Sequence, residues 1–241
     1  MLGNALQIAK QVASELGLNT PTELVTSQEA SSVQMLALLN SSGNELVTYY
    51  DWEFLIKTHT ILSVADQGSY PRPDDYQRQI NQTIWDKNNR RPAFGPVSPQ
   101  GWQVLTNALI SVGPFVRYRV AGRNVEFLPV PKGAGLNYNY QYISNGWIQS
   151  YLDPSKYVSM IENDSDIIQF DFWLMVKFLK LKLWQSKGLD TSTLAADFNR
   201  TMDAITGQDH GAPVLGLANS YKTPWLNMQN LPDGNWNSGT P

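Results

Sequence analysis

Cysteine is absent from the chain, which excludes a disulfide framework, a thiolate-bound zinc and a cysteine nucleophile together. Histidine is almost absent. The two present, His59 and His210, stand far apart, so a metal site or a Ser-His-Asp triad would have to be assembled around one of them. Neither is accompanied by a Gly-x-Ser-x-Gly elbow or a His-Glu-x-x-His pair. Long apolar runs are missing too. The most apolar stretch, Asp166 to Lys187, is broken by Asp171, Lys177, Lys180 and Lys182, short of the ~18 apolar residues of a membrane span. It reads as a helix buried on most of its circumference. At the N-terminus, Leu2, Leu6, Ala9, Val12, Ala13 and Leu16 are spaced as an amphipathic helix, with Lys10 the only basic residue among them, unlike a signal peptide.

What is present fits a soluble protein of one large or two small domains: 241 residues, 42% hydrophobic, 11% aromatic and 16% charged. The net charge of -3 conceals a segregation. Residues 65–150 carry nine Lys and Arg against five acids, or +4, leaving -7 for the remainder. Such asymmetry suits polar contacts between copies or partners, although solvated faces also produce it.

Periodicity divides the chain. A first helix is expected from about Leu2 to Leu16, stopped by Gly17. A second is expected from Thr26, with Glu29 completing a capping box and Val33, Leu36, Ala37 and Leu39 as its apolar positions; Gly43 is a candidate break. From His59 the pattern turns to strands: Thr60 to Val64, Ile80 to Trp85, then Phe115 to Val120 and Val125 to Val130 flanking the turn Ala121-Gly122-Arg123-Asn124. Tyr138, Tyr140 and Tyr142 alternate with polar residues and so share one face of the last strand expected. Ser98 and Pro99 read as the N-cap and first residue of a short helix over 100–109. Helical pattern returns at Asp166, a cap with Gln169 at its third position, and again over Thr191 to Thr206. Residues 208–241 hold four prolines and three isolated aromatics, Tyr221, Trp225 and Trp236, with no period, as in an extended tail. The fold class expected is α+β: a helical body (1–59 and 151–207), an inserted antiparallel β-rich domain (60–150) and the extended C-terminal tail (208–241).

The candidate chemistry is sparse. Glu162, Asp164 and Asp166 alternate as in a calcium loop, but its glycine and glutamate positions hold Ile167 and Trp173; helix capping accounts for the acids more simply. Asp74-Asp75 would suit a glycosidase only if both carboxylates met one substrate, whereas neighbours on a strand point apart; a turn after Pro73 is expected instead. Lys132-Gly133-Ala134-Gly135 is a loop between strands. The tyrosine face suits either a sandwich core or the stacking of sugars or bases. Arg90, Arg91, Arg117, Arg119 and Arg123 could meet phosphates, without any motif for reading sequence; Arg117 and Arg119, on one strand face, also suit a neighbour's acids.

Two signatures, Tyr49-Tyr50-Asp51-Trp52-Glu53-Phe54-Leu55 and Tyr70-Pro71-Arg72-Pro73-Asp74-Asp75-Tyr76, mark the junction of the helical and β-patterned regions. With Trp85, Gly95-Pro96-Val97-Ser98 before Trp102, Tyr118-Arg119-Val120, Phe127-Leu128-Pro129-Val130-Pro131, Tyr140-Gln141-Tyr142 and Trp147, their order over residues 2–206 resembles the head-to-tail adaptor proteins of tailed bacteriophages, of the tail tubular type. The resemblance implies a non-enzymatic structural protein of the virion, with no cofactor and no bound metal. It implies a homo-oligomeric ring, typically of about twelve copies, below a portal protein and above a tail nozzle or tube, assembled in the host cytoplasm and lining the DNA exit path. In that setting Arg117, Arg119 and Arg123 are candidate inter-subunit contacts, and Tyr221, Trp225 and Trp236 are candidate anchors of the tail to the portal or a neighbour. Asp51, Trp52, Asp75 and Tyr76 are structural residues of the junction, the Trp52 indole needing an acceptor at the helix end. The alternative is a carbohydrate-binding or other accessory tail module that uses the aromatic face of the β-domain.

Overall fold

Asn4 ends a two-residue strand, β1 (Gly3–Asn4), and caps the first helix, α1 (Ala5–Glu15). Its side chain accepts from the Gln7 amide at 2.7 Å, while the Gln7 side chain accepts from the Asn4 amide at 3.1 Å, a reciprocal box that satisfies two otherwise orphaned donors. The helix therefore starts three residues after Leu2. It ends as expected before Gly17, whose φ of +66° is left-handed. The computed structural model describes residues 2–107 and 115–209.

The second helix, α2 (Ala30–Tyr49), begins later than the Thr26 capping box requires. The Thr26 hydroxyl instead donates to Glu23, and the amides of Leu24 and Val25 donate to the Asp164 carboxylate, which holds this stretch outside the helix. Its buried face is Ser32, Met35, Leu39, Ser42, Gly43, Leu46 and Val47, so Val33 and Ala37 face solvent. Gly43 does not break it. The Trp147 indole lies against Gly43 so closely that any Cβ there would overlap the ring, a use of glycine for close approach.

After a 3-10 turn at Glu53–Leu55 come β2 (Ile56–Leu62), β3 (Ser69–Pro71), β4 (Tyr76–Gln79), β5 (Trp85–Asp86) and β6 (Arg91–Pro92). Strand character thus starts at Ile56. Residues 80–84 do not form the expected strand, because Gln82 takes a φ of +63° and Thr83 bonds back to the Ile80 carbonyl at 2.6 Å. The short helix α3 (Pro99–Asn107) is followed by β7 (Arg117–Ala121), β8 (Asn124–Leu128) and β9 (Asn137–Ser144). The Ser98 hydroxyl accepts from the Gly101 amide at 3.1 Å, as the Ser-Pro start predicts. The expected β7–β8 hairpin forms around Gly122 at φ +55°.

Strand β9 is not the last. β10 (Ile148–Gln149), β11 (Tyr157–Val158) and β12 (Ile167–Ile168) follow, then α4 (Phe172–Ser186) and α5 (Ser192–Asp209). Asp171, not Asp166, caps α4, accepting from the amides of Trp173 and Leu174. Asp166 is completely buried, its carboxylate taking the amides of Tyr151, Glu162 and Asn163 at 2.8–2.9 Å. Three donors from two loops outcompete one local helix start. α5 runs beyond Thr206 into the first two residues assigned to the tail; the rest of that segment lies outside the described residues.

Among the described residues the fold is mixed α+β, with five α-helices and several antiparallel sheets. The strands form three sheets: β1-β12-β10-β11, a second around β9 with β2, β5, β6 and β4, and β3-β8-β7. Two apolar clusters result. One combines α1, α2, α4, Met202 of α5, Trp52, Trp147 and Phe170. The other lies between the second and third sheets around Tyr70, Tyr118, Phe127 and the three tyrosines of β9. β2 and β9 pair over seven residues, Ile56↔Ile143 to Leu62↔Asn137, and reach both clusters: Ile56 and Ile143 in the first, Ile61 and Tyr138 in the second.

Candidate functional site

The residues of the two sequence signatures converge where α2 passes into β2. The last carbonyls of α2 have no helical partner, and Arg78 of β4 supplies one. Its guanidinium donates to the carbonyls of Val47 at 2.9 Å and Tyr50 at 2.8 Å, and pairs with the Asp51 carboxylate. A cation at the negative end of a helix is also favoured by the helix dipole. Trp52, 2% exposed, donates its indole N–H to the Leu46 carbonyl at 2.8 Å, the helix-end acceptor that burial of this ring demands. Phe170 meets Trp52 edge to face at 5.3 Å.

Trp147 locks the same helix one turn earlier. Its N–H reaches the Asn44 side chain and the Ser159 carbonyl, both at 3.2 Å, and the Asn40 side chain accepts from the Ile161 amide at 2.9 Å. The end of α5 joins in: the Tyr50 hydroxyl donates to the Thr206 carbonyl at 3.2 Å, and the Glu53 amide donates to the Asp209 carboxylate at 2.9 Å.

Asp75 is the node on the β side. Lys57 pairs with it at 2.7 Å, and the hydroxyls of Ser144 and Tyr142 each donate to it at 2.8 Å. Burial pushes this carboxyl up, but the hydrogen bonds from Lys57, Ser144 and Tyr142, with the Lys57 charge, outweigh it and hold Asp75 below the usual carboxylate range. A carboxylate held ionised by three donors is a poor proton acceptor, and Ser144 is fully buried. The arrangement suits a clamp. Asp74 sits in the turn after Pro73, where the Tyr76 amide donates to the Pro73 carbonyl at 3.2 Å. Tyr76 stacks on Tyr142 at 5.8 Å beneath the Arg72 guanidinium.

The other sequence candidates are dispersed. Tyr138, Tyr140 and Tyr142 do share a face, but it is the buried one, at 2%, 1% and 5% exposure, so it offers no stacking platform. Burial raises all three phenols, Tyr138 to about 12. His59 lies edge to face against Tyr140, and burial lowers its pKa against the opposing pull of Asp75. Arg119 pairs with Glu126 of its own hairpin at 2.7 Å and lies over the Trp102 ring, which accounts for it within one chain. Arg117 is half-buried, its Nε shielded and without a partner. Arg123 stands exposed at the hairpin tip. Tyr221, Trp225, Trp236 and His210 lie outside the described residues.

Among the described residues no group of three or more His, Asp or Glu is placed to hold a metal ion, and no helix is long and apolar enough to cross a membrane. Sequence reasoning missed Arg78, Lys57, Ser144 and the Gly43–Trp147 contact, each of which depends on a partner 18 or more residues away. Asp164 and Asp166 were visible as acids, but not as acceptors for the amides of Leu24, Val25 and Tyr151, 15 or more residues away. No family model matches the chain, and no curated protein matches it in sequence.

Proposed function

We propose that this chain is a head-to-tail adaptor subunit of a tailed bacteriophage, a non-enzymatic virion protein. Its copies form a ring between the portal protein and a tail nozzle or tube, with the DNA passing through the lumen. One observation carries the reading: Tyr50, Asp51, Trp52, Asp75, Tyr76, Tyr142 and Trp147, spread over about a hundred residues and all within the motif order that resembles such adaptors, belong to one hydrogen-bonded and packed joint. A ring subunit that bears load between head and tail needs its parts held at a constant angle, and a joint cross-linked by these hydrogen bonds and ring contacts supplies that.

In this reading the inserted β-rich domain and the helical body present different surfaces to the two neighbours, as heterologous ring contacts require. The charge difference orients them. Arg123, exposed at a hairpin tip, is the cleanest of the three arginines for an inter-subunit contact, since Arg119 already has Glu126. Tyr221, Trp225 and Trp236 anchor the C-terminal segment to the portal or a neighbour.

The test is to mix the chain with its cognate portal and measure mass and image together. A ring of about twelve copies seated on the portal is expected; a persistent monomer with no complex overturns the proposal. Arg123→Glu is expected to weaken ring formation while leaving the monomer's melting curve in place, and a chain ending at Asp209 is expected to lose portal affinity. Asp209 must be kept in that truncation because it holds the Glu53 amide.

A further inference from the structure

The register of the second sheet places Thr60, Asn139, Trp85 and Pro92 in one cross-strand row, with Thr58 and Gln141 paired beside it. Because side chains alternate, this row lies on the face opposite Ile61, Tyr138 and Asp86, which are buried. Here the sheet is not flat. A shallow groove of about 480 Å3 runs along it, lined among others by Thr58, Gln82, Trp85, Lys87, Asn139 and Gln141.

We propose that this groove binds a neutral saccharide, with Trp85 as its stacking platform. Its composition selects that ligand. Trp85 keeps 36% of its surface exposed, presenting an indole to the C–H face of a pyranose. Around it stand amides and hydroxyls, which both donate and accept and so match vicinal sugar hydroxyls. Among the described residues no acid lines the groove, and Lys87 is its only cation, which is too little charge for a phosphate backbone. An apolar peptide would leave the amides unpaired.

The groove is also built rather than incidental. Gln82 is held at a φ of +63°, rare for a residue with a side chain, while its amide donates to the Tyr118 hydroxyl at 3.2 Å. Strain of this kind gathers at ligand sites. Thr83 accepts from the Gln141 amide at 3.2 Å and pins the opposite wall. In the floor, the shielded side-chain oxygen of Asn139 has no hydrogen-bond partner, an acceptor that a ligand hydroxyl can satisfy. This inference does not depend on ring assembly. It relocates sugar recognition from the buried tyrosines to the other face of the same strand.

The experiment is saturation-transfer NMR on the full chain with glucose, N-acetylglucosamine and mannose hexamers as probes. Transfer to at least one hexamer is expected, weakened about tenfold or more in Trp85→Ala and less in Trp85→Phe, which keeps a ring. Tyr138→Phe, buried on the other face and outside the groove lining, is expected to bind as the parent does. Absence of transfer to all three hexamers overturns the proposal, as does undiminished transfer in a Trp85→Ala chain whose circular dichroism matches the parent. Binding that vanishes in Lys87→Ala and with added salt also overturns it, by marking the groove as a site for anions.

Discussion

The two cores are built from different materials. The helical cluster is made of Leu, Ile, Val, Met, Ala, Phe and two tryptophans, with no fully buried tyrosine, whereas five of the ten buried residues of the β cluster are tyrosines. An aliphatic core asks only for volume and tolerates exchange among similar side chains. A tyrosine core must also place each hydroxyl. Tyr70 donates to the Gln67 carbonyl at 2.7 Å, Tyr142 donates to Asp75, and Tyr118 accepts from the Gln82 amide. The β region therefore depends on exact register, and its remaining strain shows in buried groups without partners, the Tyr140 hydroxyl and both polar atoms of the Gln79 amide among them. The joint between the cores combines both kinds of contact.

The sharpest test of this contrast removes a helical-core anchor. Trp147→Ala, at a position with no exposure, is expected to cost about 3–5 kcal/mol in urea unfolding. Trp52→Ala is expected to match it; a loss under about 1 kcal/mol would mean that Trp52 is an exposed contact rather than part of the core.

Next is the joint itself. Arg78→Met keeps much of the stem but leaves the Val47 and Tyr50 carbonyls without their donor, for an expected loss of about 1–3 kcal/mol. If the arginine couples the regions, fluorescence and circular dichroism should then report separate transitions; one coincident transition would show that β2 and β9 alone carry the coupling.

Asp75→Asn addresses the β side and should cost about 1–2 kcal/mol at pH 7. Because the folded-state pKa is lowered, this stability is present above the unfolded carboxyl value of about 3.9 and is lost as pH falls through the folded one. The gap between parent and variant should therefore hold from pH 7 to about 5 and shrink below about pH 4. A gap independent of pH would mean that ionisation is not what Lys57, Ser144 and Tyr142 recognise.

The smallest effect is expected from Tyr140→Phe. Its hydroxyl is buried without a partner, so removing it should be neutral within about 0.5 kcal/mol or stabilising. A loss above about 1 kcal/mol would place an ordered water or another partner on that hydroxyl.

The α+β class, the β7–β8 hairpin, the Ser98-Pro99 helix start and the shared face of Tyr138, Tyr140 and Tyr142 were all legible in the sequence. Each is a local matter of period, turn chemistry or capping, decided within about ten residues. Local signals failed where another group, near or far in the chain, claimed the same atom. Thr26 and Asp166 carry sound capping patterns, yet Glu23 takes the first hydroxyl, and amides from two loops occupy the second carboxylate. Gly43 has the marks of a break and serves as the seat of Trp147.

Sequence by itself thus determined the main helices, the β7–β8 hairpin and which residues of β9 share an aromatic face, because backbone geometry imposes those periods on any chain. Only the tertiary structure decided that the aromatic face is turned inward while Trp85 and the amides look out. It also decided that Arg78 closes the end of α2, and that Asp75 is a clamp rather than an acid. These outcomes rest on pairings between segments distant in the chain, and hydrogen-bond saturation and burial are settled only when those segments meet.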